Sequence, residues 1–186
     1  MNPFIGYTTK ADNKKRRYRN YKQMKVTLIL IGKTTNAHFI ASISDYVSRI
    51  EHYLPFSIIT IPELKNTKKL TEEQQKEREG DLILKELQPS DTLVLLDEHG
   101  KEYRSIEFAQ WVQKKQNSTK RLIFLIGGPY GFSRAVYERA NEKISLSKMT
   151  FSHQMVRLIF VEQLYSRPSR TRLTTSKWYW ITPLFH

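Results

Sequence analysis

Four short apolar runs recur along this chain, and each is stopped by a residue that ends a strand. KVTLILI (25–31) is closed by Gly32, FSIITI (56–61) by Pro62, TLVLL (92–96) by Asp97 and a turn at Gly100, and LIFLI (122–126) by Gly127-Gly128-Pro129. Their β-branched content and unbroken apolarity mark strands buried on both faces. Amphipathic patterns lie between them. Residues 37–50 space Phe39, Ile40, Ile43, Val47 and Ile50 for one helix face, 71–87 open with the capping box Thr71-x-x-Gln74, and 105–116 carry Ile106, Phe108, Ala109 and Val112. Strands alternating with such helices need crossover connections, so the predicted class is α/β with a mostly parallel sheet flanked by helices. A fifth strand is expected at 144–147.

In a sheet of this kind ligands bind outside the carboxyl ends of the strands. That brings together Leu95-Leu96-Asp97, Gly127-Gly128-Pro129 and the segment after the fifth strand. Glycine has a use there because a missing Cβ lets a ligand lie against peptide groups, although Gly-Gly-Pro also reads as a plain sharp turn. The loop matches neither GxGxxG nor GxxxxGKS, which leaves pyrophosphate-binding and P-loop sites unsupported. From Ser152 to Tyr165 the helical pattern is apolar almost all round, with Met155, Val156, Leu158, Ile159, Phe160, Val161 and Leu164. Such a helix is either buried inside the domain or packed on the sheet and on another subunit, and the second is the expectation.

At 186 residues with 39% hydrophobic content the chain has material for one sizeable core. It has no cysteine, and its five histidines are scattered, so neither a disulfide framework nor a metal site is expected. No apolar stretch approaches the length of a membrane span and no signal region opens the chain, which predicts a cytoplasmic protein without membrane contact. The net charge of +13 is uneven. Residues 1–23 hold seven Lys/Arg and one Asp, a net of +6, and residues 166–186 hold four Lys/Arg and no acid. The excess is mostly terminal, which suits either attraction to RNA phosphates or simple solvated tails.

Several stretches carry a more specific signal: MKVTLILIGKT, LLDEHGKEYRS, LIGGPYGF and above all ISLSKMTFSHQMVRLIFVEQLY. Over residues 24–165 the chain resembles the bacterial family of large-subunit ribosomal RNA pseudouridine-N3 methyltransferases, in the SPOUT superfamily. The resemblance implies a C-terminal trefoil knot, S-adenosylmethionine as methyl donor, a homodimer with its active site near the subunit interface, and ribosomal RNA in the assembled ribosome as substrate. It also implies cofactor contacts from Leu96, Gly127, Leu146, Ser147, Lys148, Met149, Thr150 and Phe151, on the same three loops that the sheet argument gathers. The two glycines would then let the loop approach the cofactor.

A sulfonium methyl is already activated, so transfer to a ring nitrogen needs placement and removal of the nitrogen's proton. His153 is the candidate base, since an imidazole titrates near neutrality; its other reading is a hydrogen bond that holds the loop. Arg157, one turn along, is the candidate for phosphate or carboxylate binding, or else for an ion pair at the dimer interface. Two segments depart from the family pattern: residues 1–23 read as a basic, disordered or weakly helical extension, and 166–186 as an atypical basic tail. That tail lacks the family's terminal Tyr-His pair, and Pro168 is expected to stop the helix. An alternative therefore stays open: a knotted module that binds S-adenosylmethionine or ribosomal RNA without methyl transfer. An α/β nucleotide-binding enzyme of unrelated chemistry is disfavoured, because no phosphate loop is present.

Overall fold

The computed structural model describes residues 24–172, so the extension expected at 1–23 and the tail beyond 172 lie outside the described residues. The elements are β1 (Lys25–Ile31), α1 (Ala37–Glu51), β2 (Phe56–Ile61), α2 (Glu72–Lys85), β3 (Thr92–Glu102), α3 (Ser105–Ser118), β4 (Arg121–Ile126), α4 (Arg134–Arg139), β5 (Glu142–Ser145) and α5 (His153–Arg172), with a 3₁₀ turn at Thr67–Lys69. The five strands form one sheet in the order β2-β1-β4-β3-β5, and every neighbouring pair is parallel. The class and the positions of β1, β2 and β4 agree with the sequence pattern.

Because side chains alternate along a strand, each strand supplies two cores. Val26, Leu28, Leu30, Val94, Leu122, Phe124 and Ile126 face a layer made by Ile43 and Ile50 of α1, Phe108 and Val112 of α3, and Phe160, Val161 and Leu164 of α5. Ile29, Ile31, Leu93, Leu95, Ile123 and Leu125 face Ile83 of α2 and Val136 of α4. The central ring pair is Phe124 and Phe160, both fully buried, with centroids 4.7 Å apart. Burying each ring contributes about 1.5–3 kcal/mol, which fixes α5 on the sheet more firmly than its polar contacts do. Met155 and Ile159 of α5 stay partly exposed.

The helices begin where the sequence supplies side-chain acceptors. Asn36 Oδ1 accepts from the backbone N–H of His38 and Phe39, Thr71 and Gln74 form the expected capping box, and Ser133 caps α4. Ser152 does the same for α5, its Oγ accepting from Met155 N.

Three expectations are corrected. Strand β3 does not stop at Asp97: Leu96 and Lys101 both pair with Ile144, so residues 97–100 are an excursion after which pairing resumes to Glu102. Gly100 permits it, because a Cβ there would lie 2.5 Å from the Ile144 carbonyl carbon. Strand β5 comprises Glu142–Ser145, two residues earlier than the 144–147 expected, since Asn141 Oδ1 accepts from Leu93 N and pulls the chain into line beside β3. Helix α5 runs through Pro168 to Arg172; a proline removes one backbone donor, and the remaining i→i−4 bonds of the helix are enough to carry it on.

Candidate functional site

Strands β3, β4 and β5 lie side by side in parallel, so their carboxyl ends share one edge of the sheet. There they open onto a hollow of about 580 Å³, within the range of small-ligand pockets. The excursion 97–100, the 127–132 loop and the 146–151 loop form its walls, and α5 closes one side with His153 and Val156. Of the positions singled out in the sequence, Leu96, Gly127, Leu146, Ser147, Met149, Thr150, Phe151 and His153 all line this hollow. Lys148 and Arg157 do not. A second, shallow hollow of about 540 Å³ lies along β5, lined by Tyr137, Ala140, Asn141, Glu142 and Lys143, and no strand-end loop reaches it.

The 146–151 loop is held by its own hydroxyls. Ser145 Oγ donates to Ser147 O at 2.9 Å and Ser147 Oγ accepts from Met149 N at 3.0 Å. This turns Met149 outward, where it is 73% exposed although large and apolar. With Tyr130 and Phe151, also exposed and lining the hollow, it makes an apolar rim.

The structure gives the glycines a reason that the sequence does not display. A Cβ on Gly127 would lie 2.9 Å from Cε1 of Phe132, and one on Gly128 would lie 2.6 Å from Oε2 of Glu79. The two missing side chains are thus demanded by neighbours inside the chain. Glu79 is only 4% exposed and its Oε1 accepts from Gln75 Nε2 at 3.0 Å. The next residue, Gly80, faces the Ser133 hydroxyl, where a Cβ would meet Oγ at 2.2 Å. Helix α2 therefore seats the loop at both ends, at Gly128 through Glu79 and at Ser133 through Gly80.

The far wall has a polar group to which the sequence reading gave no role. Asp97 is nearly buried, its side chain 6% exposed. Oδ2 accepts from the Tyr137 hydroxyl at 2.5 Å and Oδ1 from the His99 backbone N–H at 2.7 Å. Burial pushes this carboxyl up, but the Tyr137 hydroxyl, the His99 N–H and the charges of His99 and Lys143 outweigh it, leaving the group below the usual carboxylate range. Tyr137 moves the other way: burial and the hydrogen bond to a carboxylate both raise its phenol. The only sequence signal for this pair is Asp97 at a strand end followed by His99-Gly100, and nothing in the pattern points to Tyr137.

Arg157 is placed away from the hollow. It is 3% exposed, and its Nη2 donates to Ile31 O at 2.6 Å and its Nη1 to Thr34 Oγ1 at 2.9 Å. Its Nε has no partner among the described residues. Burial lowers this guanidinium's pKa and the charge of Glu63 partly offsets it. Gln154 completes the grip, its Oε1 accepting from the backbone N–H of Thr35 and Asn36 and its Nε2 donating to Thr35 Oγ1. The HQMVR stretch thus ties α5 to the turn after β1. Among the described residues no cluster of three acidic or histidine side chains is arranged to hold a metal, and no helix is long and apolar enough to cross a membrane.

This geometry agrees with the comparisons to known proteins. Residues 24–169 match the family model described as predicted SPOUT methyltransferase. A protein of Bacteroides fragilis named ribosomal RNA large subunit methyltransferase H is 65% identical over 143 residues, 76% of this chain and 91% of the relative. Proteins of the same name from Phocaeicola vulgatus and Flavobacterium johnsoniae are 63% and 54% identical over the same shares. With a strand-end hollow on a five-stranded parallel sheet and a family match over most of its length, the chain belongs to the SPOUT methyltransferase family.

Proposed function

We propose that this chain transfers a methyl group from S-adenosylmethionine to N3 of a pseudouridine in large-subunit ribosomal RNA. The observation that carries the reading is the convergence of Leu96, Gly127 and the 146–151 loop on one hollow, supported by the names of relatives up to 65% identical. The hollow suits the donor. It combines apolar walls from Leu96, Ile126, Leu146 and Phe132 with open peptide edges, and its carboxylates suit a cationic ligand.

The donor, when bound, supplies an activated methyl group, so the chain's own residues have little covalent work to do. Leu96, Gly127, Leu146, Ser147, Met149, Thr150 and Phe151 bind and orient it. Lys148, exposed and beside the hollow, attracts the acceptor's phosphates. His153 takes the N3 proton on an imidazole nitrogen, and the Met149 and Phe151 side chains shed water when covered. Arg157 acts as a positioning residue, holding α5, and with it His153, against the end of β1.

The finer organisation follows from the same reading: a trefoil knot in the C-terminal half, and a homodimer that covers the partly exposed Met155 and Ile159 of α5. The substrate is the RNA of the assembled ribosome, in the cytoplasm. Residues 24–165 form the methyltransferase domain, residues 1–23 add non-specific phosphate attraction, and 166–186 make a basic tail. The test is transfer of labelled methyl to ribosomes that lack the modification. The wild-type chain labels large-subunit RNA; His153→Ala lowers turnover by about 10²-fold while donor binding by calorimetry persists. Donor binding without any transfer by the wild-type chain would instead favour the module that binds but does not methylate.

A further inference from the structure

The hollow is acidic, although the sequence as a whole is basic. The chain has a formal net charge of +13, yet the charged side chains lining the hollow are Glu72, Asp97 and Glu98, and no lysine or arginine among the described residues joins them. Glu98 stands on the exposed rim, its side chain 76% accessible, whereas Asp97 lies in the wall. The two donors that grip Asp97, the Tyr137 hydroxyl and the His99 peptide N–H, are both uncharged groups. They fix the carboxylate in place and hold it ionised, while the charges of His99, whose Nδ1 lies 3.4 Å from Oδ1, and of Lys143 screen it in part.

Methyl transfer changes the donor in two ways. The S–CH₃ bond breaks with its electron pair left on sulfur, the methyl forms a bond to the ring nitrogen, and that nitrogen's proton passes to a base. The ligand left behind has lost one methyl group and one positive charge. A single methyl contributes only about 0.8 kcal/mol of burial, so a hollow that recognised shape alone would hold donor and product almost equally. Charge is the difference a protein group can read.

We propose that Asp97 is the specificity-determining residue of the hollow, its carboxylate favouring the sulfonium donor over the neutral thioether product and so promoting product release. The inference rests on the methyl-donor reading above. A carboxylate in a partly screened wall is expected to give a preference of about tenfold.

The test is calorimetric titration of the full chain with S-adenosylmethionine and with S-adenosylhomocysteine. Asp97→Asn keeps an acceptor for Tyr137 but loses the charge, and is expected to lower the ratio of donor to product affinity about tenfold. Asp97→Glu, which restores the charge, is expected to restore the ratio even if both affinities fall. Equal weakening of both ligands in Asp97→Asn, or an unchanged ratio, would overturn the proposal while leaving the methyl-donor reading intact. If the unmutated chain bound neither ligand, the underlying reading would fall as well.

Discussion

Gly128→Ala puts a methyl carbon 2.6 Å from Oε2 of Glu79, where ordinary contact begins at 3.4 Å. Something must therefore move by about 0.8 Å. The backbone is free to accept alanine, since Gly128 does not have a positive φ. The carboxylate is not free to yield, because Glu79 is 4% exposed and held by Gln75. Overpacking of this kind costs about 1–3 kcal/mol, which for a domain of this size is a fall of about 2–10 °C in melting temperature. Glu79→Ala alone removes one methylene of burial, about 0.8 kcal/mol, offset by the relief of a desolvated carboxylate. In the double variant the new methyl occupies the space the carboxylate left, so the two losses should fall short of additive by about 1–2 kcal/mol. Urea unfolding of the four chains measures that coupling. Strict additivity would refute the reasoning, because it would mean that Glu79 and the glycine loop do not press on each other.

Further predictions address the core, the clamp and the wall of the hollow. Phe160→Ala should destabilise the chain by about 3–5 kcal/mol, read from denaturant midpoints, because the ring is fully buried against Phe124. Arg157→Lys should recover little of the stability lost in Arg157→Met, since one ammonium cannot reproduce the fork between Ile31 O and Thr34 Oγ1; that loss should be about 2–3 kcal/mol. The lowered pKa of Asp97 means that its folded form is stabilised as the anion, so its contribution is complete above the ordinary carboxylate range and is lost as pH falls through the depressed value. Melting curves between about pH 6 and pH 3 should accordingly fall more steeply for the wild-type chain than for Asp97→Asn.

Most of the framework was legible because parallel strands buried on both faces leave no polar positions to blur them. LIFLI, for example, is fully buried along its length. The capping box at Thr71 and the helix face of α3 were equally plain, since their spacing is local, whereas on α1 Ile40, expected on the inner face, is 48% exposed. What stayed hidden was set by contacts across the fold. The 97–100 excursion depends on β5 lying beside β3, which no local pattern reveals. Helix α4 has six residues and one buried side chain, Val136, too few for a period to register; its only signal was Ser133 as a cap. At the site, the parallel order of the strands brought the three loops together, but charge and burial alone separate Asp97, set in the wall, from Arg157, turned away beneath β1. The need for two glycines was visible as a pattern, but their close contacts with Glu79 and Phe132 were not, because those residues come from segments whose approach the sequence does not display.

The grip of Arg157 on Ile31 joins residues 126 positions apart. A chain emerging from synthesis can complete all five strands of the sheet before that arginine exists, but until α5 docks, the loop from Leu146 to Ser152 has no anchor at its far end. The first strand thus waits for nearly the last helix, and the pocket is assembled at the close of folding rather than its start. Unfinished or clipped copies would hold a sheet but no place for the donor, so a competent methyl-transfer site certifies that the C-terminal helix has come home.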